Sequence, residues 1–242
     1  MSTNDLDAFV SAVAAGERIP DRGTMFNPWG DHDPAHDVTP EAPRIRTDHL
    51  HRYLAARLGR ARVLLIAEAP SYSGAKFSGI AMTSERDVLA AHRAGRGRDY
   101  FDGRFTRTSR PLAQLKNAEG MLERTASIVW TAMTGNGWAP TEFVLWNAVA
   151  YHPHDAGNPL SNRAPNTRER RALQPLLEMF LALFPDVPRL AIGRICQQSL
   201  SDMGIDASPA RHPSYGGAPE FRATVSGLRQ RLDGRMLTDG PV

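Results

Sequence analysis

The sequence predicts an α/β fold of three layers, α/β/α, around a central four-stranded parallel sheet, and three observations carry that reading. Short apolar runs, RVLLIA from Arg62, EFVLWN from Glu142 and RLAIG from Arg189, lack the polar alternation of a half-exposed strand. Runs of this kind are strands buried on both faces, which is what a parallel sheet between helix layers requires. Segments of helical period separate them in the order βαβαβαβ without internal repeats, so the crossovers are helical. Finally, 242 residues with 41% hydrophobic and 23% charged content suit one sizeable globular domain. The whole of residues 1–242 is therefore read as one domain, with residues 1–46 an N-terminal helix and loop packing on it.

Each element follows from local pattern. Asp5 to Ala15 is amphipathic at helical spacing, and Asp21 to Pro43, rich in Pro, Asp and Gly, reads as a loop. Leu50, Tyr53, Leu54 and Leu58 share one face of a helix expected from Thr47, with Thr47 or Asp48 placed to cap it. The first strand begins at Val63. An arginine-rich stretch with interleaved aromatics, His92 to Arg110, reads equally as a solvated loop or as a surface that tracks phosphates. A helix around Ser127 to Met133 precedes the second strand, and a long helix from about Thr167 to Phe184 precedes the third. A helix through Gln197, Gln198 and Leu200 leads to a fourth short strand that ends in ARHPSYGG.

Charge and cysteine content bound the partners. The 29 basic and 26 acidic residues leave a net charge of +3, which permits an anionic partner without requiring one. Cys196 is the single cysteine, so one chain forms no disulfide and no cysteine-ligated cluster, and a reducing, cytoplasmic setting suits it. Neither a secretory leader nor a membrane span is expected: the start carries acids, and no apolar run approaches about 18 residues.

Polar residues then fall where parallel strands end. Glu68, Asn147 and His212 each follow a different strand, and parallel strands bring those ends to one crevice. Position alone leaves each open: Glu68 as a helix cap or an arginine partner, Asn147 as the close of a turn, His212 as a cap before Pro213. The His pairs in HDPAHD and YHPHD read as solvated or turn-capping, because Pro34 in the first breaks the helix that would present both rings.

Four pieces in order, AEAPSYSGAKFSGIAMTSER, WNAVAYHPH, LAIGR and RHPSYGG, resemble the uracil-DNA glycosylase superfamily, in particular the bacterial branch near the iron-sulfur-cluster enzymes. The resemblance implies hydrolysis of the N-glycosidic bond of a flipped-out deoxyuridine in DNA. It implies that Glu68 orients or deprotonates water and steadies the cationic sugar, and that His212 hydrogen-bonds the uracil anion. Asn147 would read the base edge, with Ala69, Tyr72 and Met82 around the base; Met82 stands where the family has a stacking aromatic. Ser71, Ser84, Arg211, Ser214, Tyr215 and Gly216 would face DNA, with Tyr215 free to wedge into the space of the flipped base. Ala69 replaces the Asp that many members use, which leaves the water to Glu68. With one cysteine against the four of the cluster branch, no cofactor is expected. The expected partner is uracil-containing DNA, single-stranded by preference, and the expected state a monomer. Rival readings are a glycosylase for another deaminated base such as hypoxanthine, a non-catalytic binder of single-stranded or damaged DNA, and a metal-dependent hydrolase built on His32, His36, His152 and His154.

Overall fold

In the computed structural model, residues 3–101 and 103–238 are described. The helices are α1 (Thr3–Ala15), α2 (Ala42–Ala55), α3 (Ala75–Ser78), α4 (Glu85–Arg93), α5 (Arg124–Gly135), α6 (Thr167–Ala182), α7 (Arg194–Asp202) and α8 (Ala218–Thr238). The strands are β1 (Met25–Phe26), β2 (Val63–Ala67), β3 (Phe143–Asn147), β4 (His152–Pro153), β5 (Arg189–Ile192) and β6 (Ser208–Ala210).

The predicted sheet is present: four parallel strands in the order β3-β2-β5-β6. Every residue of β2 and β3 is buried, which accounts for their unbroken apolar sequence. The chain steps from β2 to β3 in one direction and from β3 to β5 in the other. Right-handed crossovers therefore put α5 and α6 on opposite faces. Consistently, α5 packs on α8 and α1 packs on α6. Between α6 and the sheet, Trp146 stacks on Phe180 at 5.0 Å and meets Phe9 of α1 edge-on at 5.3 Å. Each such fully buried aromatic contributes roughly 1.5–3 kcal/mol. The start of α6 is fixed by a reciprocal cap in which Asn166 Oδ1 accepts from Glu169 N and the Glu169 carboxylate accepts from Asn166 N.

Two local expectations are corrected. Helix α2 starts at Ala42 instead of Thr47, with Pro43 in its first turn, where a missing N–H costs nothing. Thr47 is no cap; its hydroxyl donates to the carbonyls of Pro43 and Trp29 from inside the helix. The early turns bury Arg46 and His49, so the helix's inward face is polar there and the apolar period begins late. The Asp21–Pro43 segment also contains β1, which pairs antiparallel with β4 through Met25↔Pro153 and Phe26↔His152.

That segment is held by buried charge. Arg46 Nη1 donates to Asp37 Oδ1 at 2.7 Å, and both side chains are fully buried. Lys76 Nζ, at the start of α3, donates to Asp33 Oδ2 at 2.7 Å. Burial pushes the Asp33 carboxyl up, but the bond to Lys76 and its charge outweigh this and hold it below the usual range.

The arginine-rich stretch divides. Arg93, Arg96, Arg98, Arg104 and Arg110 are exposed, whereas Arg107 turns inward to the carbonyls of Ser109, Asn117 and Ala118. Asp102 of this stretch lies outside the described residues.

Candidate functional site at the carboxyl edge of the sheet

Strand register brings the expected residues to one edge. Asn147 closes β3 directly opposite Ala67 of β2, and Glu68 is the next residue. Gly193 follows β5, whose last residue Ile192 pairs with Ala210 of β6, and His212 comes two residues later. Strands about 4.8 Å apart place the four ends within about 14 Å. Gly193 has φ +84°, the left-handed region, and His212 packs against it: a Cβ there would meet His212 Cβ at 3.5 Å.

Asn147 is 2% exposed, and its side-chain oxygen is buried without a hydrogen-bond partner. Leaving such an acceptor unmet costs on the order of 1–3 kcal/mol, and at this strand end the oxygen is open to a donor from outside. Glu68 is half-buried; burial raises its carboxyl above the usual range, opposed by the positive charge of Arg170 on α6. Arg170 lines a groove of about 470 Å³ between α6 and α7 that begins at Ala148, beside Asn147.

The imidazole of His212 is assigned by its neighbours. Ser214 N–H donates to His212 Nδ1 at 3.2 Å, and the Ser214 hydroxyl lies 2.7 Å from the same atom. Nδ1 is thus the acceptor, and the neutral ring carries its proton on Nε2. Burial lowers the ring below its ordinary value, which favours that neutral form. His212 lines a groove of about 570 Å³ together with Gly193, Arg194, Gln197, Arg211 and Tyr215.

The loop after Glu68 is tied down at four points. His152 Nδ1 donates to Pro70 O at 2.9 Å, Ser71 Oγ donates to Glu123 Oε1 at 2.6 Å, Tyr72 N donates to Asn162 Oδ1 at 2.9 Å, and Lys76 anchors to Asp33. Ser71, Tyr72 and Ala69 are half-buried in this loop. Below it, Cys196 Sγ lies 3.0 Å from Ile66 O, and burial pushes its thiol up to about 12.

The other expected positions divide. Tyr215 is 98% exposed with φ +50°, next to exposed Gly216 with φ +79°, so this turn holds an aromatic ring in solvent. Arg211 is exposed and pairs with Glu220 at 2.9 Å; Ser214 is engaged with His212. Met82 is 4% exposed within the core, and its φ of +45° is uncommon for a residue with a side chain. Ser84 is corrected: it is fully buried, its hydroxyl donates to Met121 O at 3.1 Å, and it cannot face DNA in this form. The His pairs serve structure, His36 against Asp33 at 2.8 Å and His152 under Pro70. Sequence reasoning missed Glu123, Asn162, Arg170 and the anchoring role of His152. Only His152, inside WNAVAYHPH, carried a signal.

No family's sequence profile matches the chain, and no curated protein matches it. Among solved structures, the fold is similar to the crystal structure of wild-type Pedobacter heparinus SMUG2, with a TM-score of 0.60 over 93% of this chain and 98% of that one, at 12% identity. At that identity the likeness is one of fold.

Proposed function

We propose that the chain is a DNA glycosylase that hydrolyses the N-glycosidic bond of deoxyuridine in DNA. The observation that carries this reading is the unmet, buried Asn147 oxygen at the carboxyl edge of the sheet, on the strand next to the one that Glu68 follows, with His212 after the strand at the opposite side of the same edge. A side-chain amide offers one acceptor and one donor, the complement of uracil's N3–H and O4, whereas cytosine presents the reverse pattern. A site whose polar groups go unpaired with the wrong base rejects it strongly. The fold shared with SMUG2, a member of the uracil-DNA glycosylase superfamily, supports the same class of chemistry.

The residues divide the work. As the C1′–N1 bond lengthens, negative charge grows on uracil O2 and positive charge on the sugar. Neutral His212 donates Nε2–H to that oxygen, a donor already oriented by the bond that Ser214 N–H gives to Nδ1. Glu68 accepts a proton from the attacking water, and its negative charge steadies the oxocarbenium-like sugar. Tyr215, already in solvent on a left-handed turn, enters the stack in place of the extruded base. Met82 lies in the core and offers no aromatic face, so single-stranded DNA, which needs no unpairing energy, is the preferred substrate.

The test is cleavage of a labelled single-stranded oligonucleotide carrying one uracil, with chelator present and with thymine and hypoxanthine controls. An alkali-labile site formed from uracil alone, lost in Glu68→Gln, is the expected result. Cleavage only at hypoxanthine would move the reading to another deaminated base, and tight binding without cleavage would move it to a DNA-binding protein.

A further inference from the structure

Of the residues expected to face DNA, Ser84 is fully buried, and its hydroxyl singles out a neighbour that is not. Ser84 Oγ donates to Met121 O at 3.1 Å and accepts from Glu123 N at 3.4 Å. Those atoms belong to the residues on either side of Leu122, so one side chain brackets Leu122 from both. Met121 is fixed further: its N–H donates to Glu85 Oε2 at 3.1 Å, and its carbonyl also accepts from Arg86 N at 2.9 Å. Glu123 Oε1 accepts from Ser71 Oγ at 2.6 Å. The main chain around Leu122 is thus tied both to the start of α4 and to the loop that follows Glu68.

What this anchoring holds in place is an apolar side chain in solvent. Met121 is buried and Glu123 turns inward, whereas Leu122 is 37% exposed and Arg124 is exposed, the two-residue alternation of an extended chain. Three large apolar side chains are exposed among the described residues: Val38, Leu122 and Tyr215. Val38 belongs to the N-terminal segment. Leu122 and Tyr215 lie in the turns just before α5 and α8, two helices that pack on each other. Both helices start at the carboxyl edge, since α5 runs back to the beginning of β3 and α8 leaves the end of β6. The charges around Leu122 are one-sided. Glu119 pairs with Arg93 at 2.9 Å, Asp87 accepts from Ser127 Oγ, and Glu123 faces Ser71. Arg124 and Lys116 are exposed and form no ion pair among the described residues.

We propose that Leu122 is a second apolar wedge of the DNA interface, packing on a base beside the flipped nucleotide on the flank of the Ser71 loop, with Arg124 on the adjoining phosphate and Ser84 as the positioning residue behind both. The inference rests on the glycosylase reading for its choice of DNA, and it extends that interface to a flank the sequence did not assign. An apolar side chain beside a free cation suits a nucleic acid strand, which offers base faces next to phosphates. Tyr215 reaches the same edge from the turn after β6, and the Ser71 loop follows β2, with β5 between them. A strand lying across these ends would meet an apolar side chain on each side of the extruded base. That arrangement holds the base out of the stack without an aromatic ring at Met82. Ser84 then serves DNA binding from the interior, through the residue it brackets.

Binding of the full-length protein to a fluorescent single-stranded oligonucleotide without uracil, read by anisotropy over a range of salt, tests this apart from catalysis. Leu122→Ala should weaken binding by roughly threefold to tenfold with an unchanged melting temperature. Arg124→Ala should weaken it similarly and flatten the salt dependence by about 0.7 in the log–log slope, as one lost phosphate contact requires. Ser84→Ala should weaken binding as well, but the Leu122→Ala/Ser84→Ala double variant should bind no worse than Leu122→Ala alone, because Ser84 acts through Leu122. Losses that add in full overturn the positioning role, and wild-type affinity in both Leu122→Ala and Arg124→Ala overturns the wedge. The two readings fail separately. Weakened binding in Leu122→Ala with no cleavage at any base would leave the wedge standing and refute the glycosylase; uracil cleavage with unchanged kcat/KM and affinity in Leu122→Ala and Arg124→Ala would do the reverse. A wild type that neither binds nor cleaves DNA refutes both.

Discussion

Two regions of this molecule bury polar side chains, and they treat them oppositely. Around the N-terminal segment the partners are complete: Arg46 meets Asp37 and the carbonyls of Pro28 and Asp31, Lys76 meets Asp33 and Pro159 O, and His49 uses both ring nitrogens, toward Ser78 O and Thr106 N. Around the carboxyl edge of the sheet they are not. Asn147 Oδ1, His152 Nε2 and Glu123 Oε2 are all buried and unmet. The indole N–H groups of Trp138 and Trp146 are unmet as well, so an orphan alone marks nothing. His92 Nε2 on α4 and Arg189 Nε at the start of β5 are unmet too; what sets Asn147 Oδ1 apart is its place at the strand end beside Glu68. Complete partnering rigidifies the first region, whereas the second holds polar atoms still able to accept or donate a bond.

The comparison can be broken from either side. The largest effects are expected at the edge, where Glu68→Gln and Asn147→Ala should each lower uracil cleavage by about 10²–10⁴-fold while melting stays close to wild type. In the paired region the effect should reverse. Asp33→Asn strips the counter-charge from fully buried Lys76 and should destabilise by about 3–5 kcal/mol, seen as a lowered midpoint of urea unfolding, with residual activity in the folded fraction.

A pH scan sharpens the same contrast at intermediate size. His49 and His152 are both pushed down to about 4, chiefly by burial. Between that value and the unfolded value near 6.5 the unfolded chain binds more protons, so their contribution is full above pH 6.5 and is lost as pH falls toward 4. Melting temperature should drop across that window, and less steeply in His152→Gln. A stability that does not change between pH 6.5 and 4 would contradict the neutral assignment of these rings. The smallest effect is reserved for the solvent-borne ring: Tyr215→Ala should weaken single-stranded DNA binding by about 1–3 kcal/mol, measured by fluorescence anisotropy, without changing the melting temperature.

Much of the frame was legible because its physics is local. Strands buried on both faces must be apolar throughout, so β2, β3 and β5 stood out as runs, and a polar residue at the end of such a run is conspicuous, which is how Glu68 and Asn147 became candidates. The start of α2 was hidden because its inward face holds Arg46 and His49, whose partners come from residues far along the chain. The two-residue strands β1 and β4 are too short to show any period. Ser84 was misplaced because its hydroxyl partner, Met121 O, lies 37 residues away. Glu123 was missed for the same reason, since its packing beneath Ser71 and Gly74 is wholly tertiary.

The central claim is that the buried Asn147 oxygen is unmet in order to receive a base. Asn147→Leu, which has the same branched skeleton without polar atoms, tests it most directly when uracil cleavage and thermal unfolding are measured on the same preparation. Relief of the orphan should keep the melting temperature at or above wild type, by up to about 2–4 °C for each 1 kcal/mol gained, while cleavage falls at least about 100-fold. Cleavage that survives the substitution, or is lost only together with the fold, would contradict the account.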